Sequence, residues 1–306
     1  MRGRLKSGIE VALCRSGITA VIRRRRAADT LILAWHNIVP AGSAAAGDRS
    51  LHLPQGAFGR QLDLLRRTHD VVPLEALLER PGGSGRSRPR AVITFDDAYQ
   101  GALTAGVEEL RRRGLPATVF VAPSFVGGSS FWWDALTELG SAGLSAGVRD
   151  HALNVLGGRD AAVRGWAAER GVPVQPVAEH MTCATEAQLR SAEGDVAYAS
   201  HTWSHPYLPA LTGDELRREL ELPRAWLAQR FRHVVDWLAY PYGAYSPTVA
   251  RATAEAGYAG ALRVDGGWLR GPAPEGEARF SLPRHNVAAG VSVAGFELRV
   301  SGLVVR

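Results

Sequence analysis

The chain is expected to fold as an α/β protein, with a parallel sheet curled into a (β/α) barrel, complete or open, and interrupted by one helical insertion. Short β-forming runs alternate with segments of helical spacing along most of its length. The runs are apolar throughout, as parallel strands covered on their outer face require. A stretch from about 129 to 186 breaks this rhythm with Ala-rich helical sequence that starts at "FWWDAL" and contains the two prolines of "GVPVQPVAEH".

Taken in order, residues 1–28 read as a helical leader and 29–306 as one α/β domain. In the leader, "GIEVALCRSGITAVI" is broken by Glu10 and Arg15 and lacks a small-residue cleavage pattern, so it is not read as a signal peptide. It ends in Arg23 to Arg26, so it either packs on the domain or rests on an anionic membrane surface. No run approaches the ~20 apolar residues that span a bilayer. The expected location is cytoplasmic or peripheral to the membrane.

Predicted strands are "TLILAW" (30–35), "AVITF" (91–95), "ATVFVA" (117–122), "VAYAS" (196–200), "VVDWLAY" (234–240) and "YAGALRV" (258–264). Helices are expected over "AFGRQLDLLRRTH", "GALTAGVEELRRR", "DELRREL" with "RAWLAQRF", and "PTVARATAEAG". Gly114 and Gly257 act as stops, and Thr212 and Ser246-Pro247 as starts. "PGGSGRSRP" (Pro81 to Pro89) reads as a surface loop.

The 306 residues are 46% hydrophobic, enough for one sizeable core. Net charge is +6, carried almost wholly by arginine, since Lys6 is the only lysine. The arginine clusters have no interleaved aromatics, which argues against nucleic acid as a partner. Cys14 and Cys183 are too few for a disulfide framework.

The chemistry concentrates in two places. "VITFDDAYQG" sets Asp96 and Asp97 side by side after a strand, and "ASHTWSHPYL" sets His201 and His205 four residues apart after another. Adjacent aspartates need a cation, and two imidazoles at that spacing can share one metal. Asp97 with both histidines forms a ligand set that leaves positions open for water, as a hydrolytic metal needs. Functional residues of (β/α) barrels lie at the C-terminal ends of several strands.

These motifs resemble the polysaccharide deacetylases, the NodB-like domain of carbohydrate esterase family four. "TFDD" (Thr94 to Asp97) and "SHTWSH" (Ser200 to His205) resemble its first two motifs, "LAYPYG" (Leu238 to Gly243) its third and "LPRH" (Leu282 to His285) its last. The strand "LAWHNIVP" also looks like the opening strand of one branch of the family. The resemblance implies a distorted TIM-like barrel and a divalent metal, commonly Zn2+, acting on N-acetylated glycans, in exopolysaccharide or cell-envelope synthesis. It implies Asp96 as general base, Asp97, His201 and His205 as metal ligands, the backbone N–H of Tyr242 as oxyanion donor, and His285 as the acid that protonates the leaving amine. Two departures stand out. The family's third-motif arginine is replaced by Ala239, with Arg284 as a candidate substitute, and the aspartate-tryptophan element has only "DGGW", with Trp268, as its nearest match.

Outside the motifs, His36 reads equally as a site residue or a core histidine, while Trp132, Trp133 and Trp203 could stack on sugars or pack. His52, His69, His151, His180 and His233 have no partner motif and read as surface residues. Beside the deacetylase reading stand a related C–N hydrolase acting on a formyl group or small amide, and a non-catalytic glycan-binding protein that keeps the metal. An open groove at the site would favour a polymeric substrate, and a closed pocket a small one.

Overall fold

A computed structural model describes residues 2–79, 87–138 and 140–304. Most of the loop predicted at 81–89 lies outside the described residues. Ten strands are found: β1 (Thr30–Trp35), β2 (Asn37–Val39), β3 (His52–Pro54), β4 (Asp70–Val71), β5 (Arg90–Phe95), β6 (Thr118–Val121), β7 (Ala197–Ser200), β8 (Val234–Ala239), β9 (Gly260–Leu262) and β10 (His285–Asn286). The main sheet runs β10-β1-β5-β6-β7-β8-β9, with β4 beside the start of β5, and every pairing is parallel. A bridge between Leu262 and Leu282 brings its two edges together. The result is the curled, partial (β/α) barrel expected from the apolar runs. β2, β3, β4 and β10, of two or three residues each, went unpredicted, whereas β9, equally short, lies within the longer apolar run 258–264 that marked it.

The helices are α1 (Arg2–Arg15), α2 (Ile18–Arg25), α3 (Gln55–Thr68), α4 (Val107–Arg111), α5 (Trp132–Ala135), α6 (Ala146–Asn154), α7 (Asp160–Glu169), α8 (Glu186–Ala192), α9 (Gly213–Arg230), α10 (Pro247–Glu255) and α11 (Val293–Ser301). α10 starts where Ser246 caps it, its hydroxyl accepting from the Val249 N–H, and Gly114 and Gly257 follow α4 and α10 in left-handed conformation. The helix before α4 begins with a π-turn (Ala102–Gly106) packed against β2. Gly101 permits that approach, since a Cβ there would overlap the Ile38 carbonyl. "DELRREL" and "RAWLAQRF" form one helix, α9, which runs through Pro223.

Strand side chains alternate between two cores. Leu31, Leu33 and Trp35, with Ala91, Ile93 and Phe95, face the helices. Ile32, Val92, Phe120, Ala199, Trp237, Ala239 and Leu282 fill the barrel interior. The leader docks on α11 through polar contacts: Thr19 Oγ1 donates to Glu297 at 2.9 Å and Ser292 Oγ to Glu10 at 2.7 Å.

His52 and His69 are buried, not surface residues: they are 1% and 2% exposed. His69 follows α3, with Nε2 3.0 Å from the Val300 carbonyl and Nδ1 2.8 Å from the Thr68 hydroxyl. Burial, helped by the charge of Arg23, pushes its pKa from 6.5 down to about 3. As pH falls, the unfolded chain therefore binds this proton first. The stability contributed by neutral His69 is complete above about pH 6.5 and is lost toward about pH 3. The expected outcome for His69→Gln is a shallower fall of Tm between about pH 7 and 4 than in the wild type. Equal slopes in thermal melts would contradict this assignment.

Candidate active site

Strand parity builds the site. Moving up each strand by twos from an interior residue leads to a polar side chain at the mouth: Ile32 to His36, Val92 to Asp96, Ala199 to His201, and Leu282 to Arg284. Asp97 and His205 reach the same place differently. In an extended strand Asp97 would point away from Asp96, but the chain turns left-handed there, with φ 68° at Asp97 and 50° at Ala98. Thr202 (66°), His205 (57°) and Tyr242 (60°) complete the non-glycine positive-φ residues among those described. All five flank this one mouth, and such backbone strain collects at functional sites.

The two aspartates have opposite surroundings. Arg284, fully buried, donates from Nη1 to Asp96 Oδ1 at 2.6 Å and from Nη2 to Asp96 Oδ2 at 2.7 Å. Its Nη1 also reaches Thr94 Oγ1 at 3.1 Å, and the guanidinium lies 5.4 Å over the Phe120 ring. Burial alone would raise the Asp96 pKa, but the charge of Arg284 dominates the opposing side and holds it down to about 2. Arg284 thus makes a contact with Asp96 that the alanine at 239 cannot make. Asp97 has no such partner: burial, then the charges of Asp96 and Asp134, push its pKa well above the usual carboxylate range. Its Oδ1 is buried without a hydrogen bond.

That orphan oxygen faces His201 Nε2 at 3.5 Å and His205 Nε2 at 3.4 Å. His201 Nδ1 lies 2.7 Å from the Ala239 carbonyl and donates to it, so the neutral ring presents a bare Nε2 to Asp97. Burial lowers the pKa of both histidines and favours the neutral, ligating form. Between His201 Nε2 and Asp97 acceptor faces acceptor, a contact that a bound cation or a proton on Asp97 satisfies. Asp97, His201 and His205 therefore fit a divalent ion, their ligand atoms lying within 4.8 Å of one another.

Other expected residues divide. His36 lines the pocket, with Nε2 3.9 Å from Asp96 Oδ2. Burial pushes its pKa down to about 4, against the pull of Asp96. Tyr242 also lines the pocket; its hydroxyl donates to the His205 carbonyl at 3.3 Å and its ring stands edge-on to His205 at 4.7 Å. His285 does not reach the site. It pairs in register with Leu33, whose side chain faces the helices, so its ring lies on the opposite side of β10 from Arg284; Asn286 has the inward parity and lines the pocket. Trp203 is not among the lining residues either, because the turn commits its backbone elsewhere. Trp268 lies at the far end of the barrel, where Leu269 pairs with Thr30 at the start of β1; it stacks on His69 at 6.0 Å beneath Arg26.

Several supporting residues carried no motif. Glu219 on α9 anchors the His201–His205 loop: its carboxylate accepts from the N–H groups of Trp203 (2.9 Å) and Ser204 (2.8 Å) and from the Ser204 hydroxyl (2.6 Å). Pro223, four residues on, has no N–H for the Glu219 carbonyl, and the Trp203 N–H donates to that freed carbonyl at 3.1 Å. A proline inside an otherwise helical run was the available signal. Trp133 packs against the His205 ring at 4.9 Å and donates its indole N–H to the Tyr99 hydroxyl, which donates to Asp134.

The sequence profile described as Polysaccharide deacetylase matches residues 83–261, more than half of the chain and the span holding Asp96, Asp97, His201 and His205. The chain belongs to the polysaccharide deacetylase family. YxkH of Bacillus subtilis, named for the same family, is 22% identical over 95% of this chain and 83% of its own length. The Streptococcus pyogenes deacetylase PplD, solved with acetate, superposes with TM-score 0.59 at 18% identity, covering 89% of this chain and 97% of that one. IcaB from Ammonifex degensii gives TM-score 0.59 at 17% identity with the same coverages. The partial barrel of this deacetylase is thus a shared fold.

Breaking the buried ion pair leaves Asp96 uncompensated. Arg284→Met is expected to cost ~3–5 kcal/mol in urea denaturation, and adding Asp96→Asn to recover much of that loss. A cost within ~0.5 kcal/mol, as at ordinary surface positions, would contradict the pairing.

Proposed function

We propose that this deacetylase is a divalent-metal-dependent hydrolase, with Zn2+ the expected ion, that removes N-acetyl groups from a glycan. The observation that carries the reading is the division between two adjacent aspartates, one locked to Arg284 and one left open beside two neutral histidines. A divalent ion held by Asp97, His201 and His205 would supply Lewis acidity, acidifying water and polarising the acyl oxygen.

Asp96 takes the proton from the attacking water. Arg284 keeps that carboxylate ionised and fixes its orientation, at the expense of basicity. The leaving nitrogen needs a proton, and His36 stands next to Asp96 in the pocket. With its Nε2 3.9 Å from Asp96 Oδ2, His36 is placed to pass a proton captured by Asp96 on to the amine. His36 thus replaces His285 as the leaving-group acid. Trp132, Trp133 and Tyr242 wall the pocket and offer ring faces to a sugar.

The acetate bound to the streptococcal relative favours acetyl over formyl as the group removed. The non-catalytic reading drew on Ala239, and Arg284 takes that support away. Exopolysaccharide or cell-envelope glycan synthesis is the setting that the family suggests. In this reading 29–306 is the catalytic domain, with 129–186 inserted into it.

Zinc-loaded protein should release acetate from N-acetylglucosamine oligomers, and Asp96→Asn or chelation should abolish it. Loss of a general acid or base removes ~10²–10⁴-fold in rate, expected for His36→Ala but not for His285→Ala. The reverse order of those two variants would restore His285 to the acid role.

A membrane-peripheral location draws on α2, where Ile18 and Val21, three residues apart on one face, are exposed together with Arg24 and Arg25. Such a face suits an anionic lipid surface. Sedimentation with phosphatidylglycerol vesicles should be lost in Ile18→Glu/Val21→Glu; no binding by the wild type would remove the proposal.

A further inference from the structure

β5 lies between β1 and β6 in the sheet, so Asp96 and Asp97 sit beneath two excursions of the chain. One is the loop at 40–51 that follows β2; the other is the insertion that follows β6. The two meet above the aspartates. The Arg149 guanidinium on α6 pairs with Asp48, the Asp48 N–H donates to Asp134 Oδ1 at 2.9 Å, and the Arg49 N–H donates to the Ala142 carbonyl at 3.1 Å. Asp134 is in turn held by the Tyr99 hydroxyl at 2.8 Å and by His52 Nε2 at 2.9 Å. The foundation of this arch is therefore a buried polar network, which holds its geometry better than a surface ion pair.

Both excursions contribute walls: Asp48, Ser50 and Leu51 from the loop, and Trp132, Trp133 and Arg149 from the insertion. The cavity they bound with the strand ends has a volume of about 290 Å³. That is at the small end of the ~300–1,000 Å³ typical of ligand pockets. Tyr242, Gly243 and Val264, after β8 and β9, complete the rim, with the Tyr242 ring edge-on to Trp133 at 6.3 Å.

We infer that the arch blocks the β5 side of the groove, so this enzyme takes the end of a short N-acetylated saccharide and not the interior of a polysaccharide chain. The inference rests on the deacetylase reading for its chemistry. Its geometry stands apart from that reading. A saccharide entering the cavity stops against Trp132, Trp133 and the Arg149–Asp48 pair, which places the acetamide of a terminal sugar at Asp96. A continuous chain would have to leave over β5, through the arch. Arg149 is then a specificity-determining residue, closing the way without touching the reacting atoms.

The test pairs binding with product mapping, using N-acetylglucosamine oligomers from dimer to hexamer as probes. Calorimetry on zinc-loaded protein should show affinity levelling off by the dimer or trimer. A rise of about tenfold or more from dimer to hexamer, ~1.4 kcal/mol, overturns the inference. So does a lack of binding by any oligomer. Mass-spectrometric mapping of the hexamer product should find the free amine on a terminal sugar in the wild type. Arg149→Ala should add internal sites, and Arg149→Lys, which keeps the ion pair, should keep the terminal pattern. Internal deacetylation by the wild type, or an unchanged pattern in Arg149→Ala, contradicts the role of the arch. Levelling affinity without acetate from any oligomer would leave the closed pocket standing and remove the deacetylase reading instead.

Discussion

The buried pair between Arg284 and Asp96 is the constraint around which the rest of the site is arranged. Two adjacent carboxylates, each 2% exposed, cannot both remain ionised without cations, because the desolvation penalty is several kcal/mol per charge. The fold supplies one internal cation and places it bidentate on Asp96. Asp97 is left with an unpartnered oxygen and two neutral imidazoles. The asymmetry follows from backbone geometry: Asp96 keeps the inward parity of β5, and the left-handed turn at Asp97 brings its neighbour to the same mouth. In the proposed reading one side chain is held for proton transfer and the other is free to bind an ion.

Much of this was legible because strand periodicity and motif spacing are local. The apolar runs located the six long strands, and the aspartate and histidine pairs stood at two of their ends. His285 was misplaced although the signal was present: Arg284 and His285 are neighbours on an extended segment and cannot face the same side. Once Arg284 is assigned to Asp96, 188 residues away, His285 must turn outward and Asn286 inward. The same parity, counted from Ile32, puts His36 inside. What no local pattern could show was the tertiary partnership itself, whether of Arg284 with Asp96 or of Glu219 with the loop at 201–205. Trp268 was misassigned for a related reason, since "DGGW" matched in composition while the chain there had already crossed to the other end of the barrel.

The insertion connects packing to chemistry. Its "FWWD" segment supplies Trp133 against the ring of His205, and Asp134 at the centre of the Tyr99 and His52 network. His205 is thus backed by an aromatic wall tied, through Tyr99, to the buried carboxylate of Asp134. Burying such polar groups is costly unless each is satisfied, and a satisfied network fixes one geometry. The segment that breaks the α/β rhythm is also the one that shapes the pocket.

The central claim is that two neighbouring aspartates do different work, and zinc affinity separates them without any substrate. Calorimetric zinc titration of Asp97→Asn should show a loss beyond the 10–100-fold typical of changing a residue that only orients a ligand, because a ligand itself is removed. Asp96→Asn should stay within that range or below it. Equal losses in the two variants, or a larger loss in Asp96→Asn, would contradict the account.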